Sequence, residues 1–399
     1  MEPTEAGPLA GMRVIDIGTM VAGPVAATLL ADFGAEVIKV EQPGRGDTLR
    51  QLGPFADGES LWWNIDGRNK KSITLDLRQT EGQRILKELL RHSDGLVENF
   101  RPGTLERWNL AWEELERVNP RLVMLSVSGY GQTGPYASRA GYDRMALAFG
   151  GLLNITGYPD RPPVRPGAAM ADYQTALFGA FGMMVALYNR DVRGGKGQQI
   201  DLALYESVFR FTESMVMAYE KLGLKRERTG NINIAAGAGD HFETIDGRYI
   251  ALTIPSDRMY RRMAEAVPEL AQDDRFTTHE GRVANVDACN KIVGDWIKSL
   301  PVPEVCRILD EKGLAYGVIY SIEDIVADPH YEARGTIISV ESPKLGELKM
   351  SAVQPKLNGT PAPAVKAAPE LGAHTDEILR EILGFSAGQI AELRGSGII

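Results

Sequence analysis

A strand–helix–strand unit between residues 13 and 40 is the feature that most constrains how this chain can fold. Arg13–Ile17 has the apolar pattern of a β-strand, and a short turn leads into a helix predicted from Val25 to Phe33, with Pro24 suited to its first position. Glu36–Val40 follows as a second strand. Because a crossover of this kind joins neighbouring parallel strands, the chain is expected to form a parallel sheet covered by helices.

The alternation of strands and helices continues to residue 203. Amphipathic helices are predicted at Thr80–Arg91 and Thr104–Val118, and further strands at Ser72–Leu75, Gly95–Asn99, Leu122–Ser126 and Gln198–Ala203. This pattern is typical of the α/β class, and its opening is Rossmann-like. The first turn lacks the G-x-G-x-x-G sequence of a dinucleotide site, which argues against a nicotinamide-dependent dehydrogenase.

A different pattern after residue 203 indicates a second domain. A long helix is predicted over Glu206–Leu222, and a polar connector follows it. We therefore divide the chain into a large domain at 1–200, a linker helix at 201–228, a smaller α+β domain at 229–345 and a C-terminal segment at 346–399.

Composition argues against several kinds of partner. A formal net charge of −9 over 399 residues gives no basic footprint for nucleic acid. The five histidines show no metal-ligand spacing, so no metal site is expected. No apolar run reaches the about 20 residues of a membrane span, and residues 1–8 do not read as a signal peptide. With Cys289 and Cys306 interpreted as reduced packing thiols, we expect a cytoplasmic protein.

Asp172 is the strongest candidate for a reactive side chain. Prolines and glycines hold residues 162–167 extended, and a mostly apolar helix is predicted from Tyr173 to Tyr188. One interpretation is that Asp172 only caps this helix, accepting hydrogen bonds from its first free N–H groups. The other is that the helix start presents a carboxylate to a substrate.

Motifs spread along the chain give this second interpretation a context. They are Leu9–Asp16, Val21–Pro24, Leu30–Glu41, Val97–Gly103, Ser128–Gly131, Asp328–His330 and Leu371–Asp376. In this order and over nearly the whole length, the chain resembles the family III CoA-transferases, which include formyl-CoA transferase and the carnitine and bile-acid CoA-transferases.

The resemblance implies a fold, an assembly and a mechanism. It implies a Rossmann-type large domain built from both chain ends, with 346–399 returning to it, and a small domain between them. Two protomers would interlock like links of a ring, or a sister subunit would join the assembly. Asp172 would attack an acyl-CoA thioester, forming an aspartyl anhydride and then an aspartyl-CoA thioester. CoA thioesters would be substrates, with no permanently bound cofactor.

The residue types suit this chemistry. A carboxylate with an ordinary pKa of about 3.9 is ionised at neutral pH without a helper base. The apolar approach at 168–171 would keep water from a hydrolysable anhydride. The segment 235–240 aligns with the family's glycine-rich active-site loop, so oxyanion stabilisation is expected from Ala236, Gly237, Ala238 and Gly239. Alternatively, this segment is an ordinary flexible turn before a strand predicted at 241–244.

The resemblance also assigns contacts to CoA and to the transferred acid. By position, the CoA contacts fall on Ala22, Leu75, Arg78, Asn99, Phe100, Arg107, Trp108 and Tyr130. Arginines would meet phosphates and an aromatic ring would pack on adenine or pantetheine, although solvated helix charges and a core tryptophan are equally ordinary explanations. Formyl-CoA transferase has a glutamine where this chain has Val21, which argues against a formyl or oxalyl substrate.

The basic and polar residues near the motifs suggest an acid with two carboxylates. The candidates to contact it are Tyr142, Arg144, Arg165, Arg228 and His241. We expect succinyl-CoA as donor and, as acceptor, a C4 to C6 dicarboxylic or hydroxydicarboxylic acid or a substituted succinate.

Two other functions compete with transfer. An α-methylacyl-CoA racemase on the same fold would have a histidine at Tyr142, and tyrosine is a poor substitute for a proton carrier poised near neutral pH. A non-catalytic acyl-CoA-binding protein would leave Asp172 as a helix cap.

Overall fold

The computed structural model describes residues 6–232 and 237–399. Its first part alternates strands and helices: β1 (Arg13–Asp16), α1 (Ala22–Ala31), β2 (Glu36–Glu41), β3 (Phe55–Ala56), β4 (Glu59–Ser60), α2 (Leu61–Asp66), β5 (Lys70–Thr74), α3 (Thr80–Arg91), β6 (Gly95–Glu98), α4 (Thr104–Arg107), α5 (Trp112–Val118), β7 (Val123–Ser128), α6 (Asp143–Phe149), α7 (Met170–Val192), β8 (Gln198–Ala203) and α8 (Leu204–Phe209).

The central sheet confirms the predicted α/β class. Six strands pair in the order β5-β2-β1-β6-β7-β8, and every pair is parallel. Numbered within the sheet, this is 3-2-1-4-5-6, a doubly wound order that reverses between β1 and β6. In such sheets ligands bind beyond the carboxyl ends of the strands at the reversal point.

The sheet is buried by helices, and α7 passes unusually close to it. A Cβ built on Gly179 would lie 2.7 Å from Leu125 Cδ2, and one on Gly95 would lie 2.6 Å from Met183 Cε. A side chain at either position would therefore displace the end of Leu125 or Met183, which pack between α7 and the strands β6 and β7. This packing fixes the long helix whose first turn contains Asp172.

The chain divides into two compact units. The first comprises the described residues up to Leu152, together with Pro166–Glu213 and Gly335–Ile399, and the second comprises Leu153–Arg165 and the described part of Ser214–Arg334. The second unit contains α9 (Met215–Leu222), β9 (Ala238–Glu243), β10 (Tyr249–Ile254), α10 (Asp257–Ala266), α11 (His279–Ala284), α12 (Val286–Lys298), α13 (Val302–Glu311), β11 (Tyr316–Val318), α14 (Ile322–Ala327) and α15 (Pro329–Ala333). Its antiparallel sheet has the order β11-β10-β9.

The last 65 residues belong to the first unit. They form a hairpin of β12 (Ile337–Ser342) and β13 (Gly346–Ser351), and then α16 (Thr375–Glu381) and α17 (Ala387–Gly395). The Thr74 N–H donates to Thr375 Oγ1 at 3.0 Å, and the Asp76 N–H donates to the Ile398 carbonyl at 2.8 Å. Both chain ends therefore share this unit, while the predicted domain boundaries at 200, 228 and 345 stay predictions.

Three helix predictions need correction. The helix expected over Thr104–Val118 is two helices, because Asn109 has φ +54° and leaves the helical path between them. The helix expected over Glu206–Leu222 is also broken, at Glu213 with φ +57°. In α1, Pro24 is the third residue rather than the first. Apolar periodicity continued across the first two breaks and so hid them.

The described residues were compared with the requirements of a membrane-spanning helix and of a metal-binding cluster. No helix within 6–232 or 237–399 combines the length and apolarity of a membrane span. In the same ranges no three or more His, Cys, Asp or Glu side chains gather as metal ligands. Cys289 and Cys306 are free thiols, the first of them buried.

Candidate active site

A cavity of about 380 Å³ lies at the carboxyl ends of the central strands, in the first unit. Its walls come from the segments that follow β1 and β6, at residues 19–22 and 99–102, from the end of β7 at residues 127–129, and from residues 139–142. Asp172 lines it as well. The sheet thus places the cavity at its reversal point, where the predicted residues Val21, Ala22, Asn99, Phe100, Tyr142 and Asp172 are brought together.

Asp172 is a partly buried carboxylate without a hydrogen-bond donor among the described residues. Burial, and after it the neighbouring Asp143 carboxylate, raises the pKa of Asp172 to about 7. Its ionised form is therefore less stable than that of an ordinary aspartate, which corrects the expectation of an unperturbed pKa. A carboxylate that is poorly solvated and unpaired is a stronger nucleophile than one in water.

Asp172 does not cap its helix, so the capping interpretation is wrong. The N-cap of α7 is Ala169, which has no side chain able to cap, and Asp172 lies three residues further on. A different carboxylate takes this part: Asp143 Oδ1, on α6, accepts the N–H of Ala171 at 2.8 Å. A residue outside the helix therefore accepts a hydrogen bond from an N–H of its first turn, and the Asp172 carboxylate stays available to the cavity.

The residue after Asp172 anchors the first turn of α7 to α2. The Tyr173 hydroxyl donates to Asp66 Oδ2 at 3.0 Å, and Trp62 Nε1 donates to the same oxygen at 2.8 Å. Burial raises the pKa of Asp66, although these donors and nearby cations oppose the change. Two helices therefore hold the turn that carries Asp172.

Buried charges fix the turn between β1 and α1. Lys39 Nζ lies 2.9 Å from Asp47 Oδ2 and donates to the Gly18 carbonyl, while Lys70 Nζ donates to Asp16 Oδ2 at 2.8 Å and to the Pro24 carbonyl at 2.7 Å. Burial opposes ionisation of Asp16, but the two lysines outweigh it and hold the pKa of Asp16 below its ordinary value. Both ends of the turn are therefore bound to charges inside the sheet.

Asn99 binds the same turn from the neighbouring strand. Its Oδ1 accepts the N–H of Thr19 and its Nδ2 donates to the Thr19 carbonyl, both at 2.7 Å. One residue earlier, Glu98 is buried and accepts the Phe100 N–H at 2.8 Å, and burial raises the pKa of Glu98 to about 7. Asn99, predicted as a CoA contact, is thus also part of the cavity's framework.

Other predicted CoA contacts lie near the cavity without lining it. Trp108 packs edge-on against Phe100, with ring centroids 5.1 Å apart, and Arg107 donates to Thr104 Oγ1 at 2.9 Å. Tyr130 packs against Phe149, with centroids 5.3 Å apart. Arg144, predicted as a contact of the transferred acid, is exposed on α6 and does not line the cavity.

Leu75 and Arg78 are placed differently. Leu75 is buried in the main core, and the Arg78 guanidinium pairs with Asp76 through two bonds of 2.8 Å. Neither residue lines the cavity.

The predicted oxyanion residues belong to the second unit, and Ala236 lies outside the described residues. Ala238 is buried at the start of β9, and Gly237 and Gly239 line a cavity of about 450 Å³ within this unit, together with His241. The Gly239 N–H already donates to Asn290 Oδ1 at 2.9 Å. The oxyanion role stays a prediction, and for Gly239 it would require release from Asn290.

The two remaining substrate candidates also lie in the second unit. Arg165 is in the segment Leu153–Arg165. Arg228 donates to the backbone carbonyls of Asn154 at 3.1 Å and Tyr158 at 3.3 Å, so its guanidinium supports that segment.

Sequence reasoning missed several residues at the first cavity. Arg101 and Arg139 line it, and the guanidinium of Arg139 stacks on Tyr136 at 3.6 Å. Asp143, which follows Tyr142 in the chain, was not among the predicted site residues. Lys39, between apolar residues of a buried strand, was the available signal for the buried ion network, because a buried lysine needs a partner.

The chain also has close relatives among characterised proteins. Residues 9–375 match the family profile described as CoA-transferase family III. A succinyl-CoA–D-citramalate CoA-transferase of Chloroflexus aurantiacus is 44% identical over 395 residues, covering 98% of each chain. The succinyl-CoA–L-malate CoA-transferase beta subunit of the same species is 46% identical over 398 residues, again covering 98% of each.

Solved structures agree. A CAIB/BAIF family protein from Brucella suis superposes with a TM-score of 0.84 at 32% identity, covering 94% of this chain and all of the other. The chain therefore belongs to CoA-transferase family III, and it is a CoA-transferase.

Proposed function

We propose that this enzyme moves CoA from succinyl-CoA to a C4 to C6 dicarboxylic or hydroxydicarboxylic acid, or to a substituted succinate, with Asp172 as the nucleophile. The observation that carries the proposal is the Asp172 carboxylate in the 380 Å³ cavity, unpaired and with a pKa raised by burial to about 7. The relatives whose names specify D-citramalate and L-malate support the choice of acids.

The reaction consists of four exchanges that conserve charge. An Asp172 oxygen attacks the thioester carbon and the C–S bond breaks. CoA leaves as a thiolate, and Asp172 and the succinyl group are joined in a mixed anhydride. The thiolate attacks the Asp172 acyl carbon and releases succinate, leaving an aspartyl-CoA thioester. The acceptor carboxylate then attacks this thioester, and the released thiolate takes the acceptor's acyl group and regenerates the Asp172 carboxylate.

The cavity's own residues supply positioning for these steps. The turn at 18–24 is bound by Asn99, Lys39 and Lys70, so its backbone forms a fixed wall beside Asp172. Arg101 and Arg139 bring positive charge to a cavity that must accept a phosphate-bearing cofactor fragment and a free acid. We propose that these two arginines join the predicted CoA contacts.

The test for Asp172 is direct. Protein incubated with succinyl-CoA, quenched in acid and digested should yield a peptide containing Asp172 with CoA attached, and mass spectrometry would locate it. Asp172→Ala should lose the adduct and at least about 10³-fold of the transfer rate, since no second nucleophile is in place. Full transfer by this variant would refute the nucleophile assignment.

The acceptor is tested with a panel of free acids. Matched pairs such as pentanoate with glutarate, and butyrate with malate and citramalate, should give new CoA thioesters only with the dicarboxylates. Equal turnover of monocarboxylates would contradict the substrate class. Running the panel in heavy water also tests the racemase, which would place deuterium at the α-carbon of an unexchanged acyl-CoA.

We further propose that the enzyme works as a homodimer. One face of α7 exposes Leu177, Phe181, Val185, Tyr188 and Val192, a continuous apolar stripe on a 23-residue helix. Phe181→Glu should shift the sedimentation mass of the purified enzyme toward one chain. The alternative is a sister subunit, which the name of the L-malate relative, a beta subunit, suggests. In that case the chain alone would be inactive until the partner is added.

A further inference from the structure

Asp143 binds the helix that carries Asp172. Its Oδ1 accepts the Ala171 N–H at 2.8 Å, from α6 to the second residue of α7. Ala169 at the N-cap cannot perform this function, because alanine has no acceptor. A side chain 28 residues upstream therefore fixes the first turn of α7.

Asp143 also acts on Asp172 electrostatically. After burial, its negative charge is the second cause that raises the pKa of Asp172 to about 7. The titratable groups of the other packed elements are Asp201 on β8 and Tyr205 and Glu206 on α8, while α1 and β7 have none. On α7 itself Tyr173 is engaged with Asp66, and Arg101, Arg139 and Tyr142 line the same cavity.

We propose that Asp143 is a positioning residue of CoA transfer: it holds the first turn of α7, and its charge favours the states in which Asp172 is acylated. The inference rests on the proposed role of Asp172 as nucleophile. Two neighbouring carboxylates repel each other, and the repulsion disappears when Asp172 becomes an anhydride or a thioester, because acylation removes its charge. Asp143 thus raises the energy of the resting carboxylate relative to the covalent intermediates.

Two variants separate the two effects. Asp143→Asn keeps an acceptor oxygen for the Ala171 N–H and removes the charge, whereas Asp143→Ala removes both. In Asp143→Asn the acid limb of the kcat/KM profile for succinyl-CoA should move about one pH unit lower. The rate of Asp172 acylation at pH 8 should fall roughly two- to tenfold. Asp143→Ala should in addition lower the thermal midpoint relative to Asp143→Asn.

The control is Asp201→Asn, which removes an exposed carboxylate on β8 that accepts the N–H of Gln132 in the loop after β7. It should leave both the pH profile and the acylation rate unchanged. If Asp143 acted only through its hydrogen bond to the Ala171 N–H, Asp143→Asn would behave like this control. That result would overturn the proposal.

A titration independent of activity completes the test. Carbon-13 NMR of carboxyl-labelled aspartate, with Asp172→Asn used for assignment, should find Asp172 titrating near pH 7 in the wild type and lower in Asp143→Asn. An ordinary wild-type value near 4 would overturn the proposal even if no variant folds. Activity retained by Asp172→Ala would instead refute the proposed function, while the titration still measures the coupling between the two carboxylates.

Discussion

Asn99 and Asn290 make the same pair of hydrogen bonds in two different surroundings. Asn99 accepts the N–H and donates to the carbonyl of Thr19, both at 2.7 Å, and Asn290 does the same to Gly239, at 2.9 and 3.1 Å. Each amide therefore holds one residue of a backbone segment that lines a cavity. The two segments differ in the interactions that hold the rest of their backbone.

Beneath Thr19 the support is ionic. The turn's other polar groups are bound by side chains that are themselves buried: Asp16 accepts the Gly18 N–H at 2.9 Å, Asp47 accepts the Met20 N–H at 2.9 Å, and Lys70 binds the Pro24 carbonyl. Beneath Gly239 the support is strand pairing with β10 and an apolar cluster that includes Phe242 and Val293. The first segment is held by several side-chain hydrogen bonds and ion pairs, whereas the second is held by one side-chain amide, strand pairing and packing.

The largest effect expected from this difference is the loss of a buried charge. Asp16→Asn would leave Lys39 and Lys70 buried without their common partner, and breaking a buried pair of this kind costs about 3–5 kcal/mol. Glu243→Gln in the second unit removes an exposed partner of Lys298 and should cost about 1 kcal/mol or less. Urea unfolding, followed by hydrogen exchange at residues 13–24, would measure both. Equal costs would mean that the ionic support is unimportant.

The next largest effect is a gain in stability rather than a loss, and it concerns Asp172 in the first cavity. Because the pKa of Asp172 is raised to about 7 while the unfolded chain has an ordinary value, the native state holds the extra proton between about pH 4 and 7, so stability falls as pH rises through this window. Asp172→Asn should therefore stabilise the protein at pH 8, by up to about 4 kcal/mol, and hardly at all at pH 4.

Thermal midpoints at the two pH values measure this gain. Asp201→Asn serves as the control, because it should bring no gain that depends on pH. A destabilised Asp172→Asn at pH 8 would mean that the carboxylate is paired in solution.

The sequence was sufficient for the elements that local pattern determines. The strand at Gln198–Ala203 and the helix at Thr80–Arg91 have the predicted bounds, because apolar periodicity and flanking turn residues mark them without help from the rest of the chain. The breaks at Asn109 and Glu213 were missed, since a positive φ at a non-glycine residue is imposed by tertiary contacts.

The cavity was predictable only in part, for a related reason. Val21, Ala22, Asn99, Phe100, Tyr142 and Asp172 were identified through motifs, and the parallel sheet brings them together. Asp143 contacts a residue 28 positions further along the chain, and Lys70 binds the Pro24 carbonyl across 46 positions. Residue type and spacing do not indicate which side chains of different strands and helices meet, so these partners could be identified only in the structure.

Removing each amide tests the redundancy directly. Asn99→Ala and Asn290→Ala each leave one backbone N–H and one carbonyl without a partner, at a cost of about 1–3 kcal/mol. We expect amide exchange at Gly239 in Asn290→Ala to accelerate more, roughly 10- to 100-fold, than exchange at Thr19 in Asn99→Ala, because Asp16 and Asp47 still hold the first turn. Hydrogen exchange with peptide-level mass spectrometry provides the comparison. The reverse order would show that the ionic support does not hold the turn on its own.

The smallest expected effect concerns how tightly packing alone fixes the second segment. A Cβ added at Gly239 would lie 2.8 Å from the Leu252 carbonyl oxygen and 3.0 Å from Thr253 Cα, whereas one added at Gly317 on β11 would meet nothing within 4 Å. Because β9 is an edge strand of its sheet, it can shift to relieve the overlap. Since the atoms that the new Cβ meets are backbone atoms, Gly239→Ala should still cost about 1–3 kcal/mol, and Gly317→Ala less than about 0.5 kcal/mol. Chemical denaturation of the two variants measures the difference, and a cost at Gly239 well above the overpacking range would mean that β9 is as rigidly held as the turn beneath Asn99.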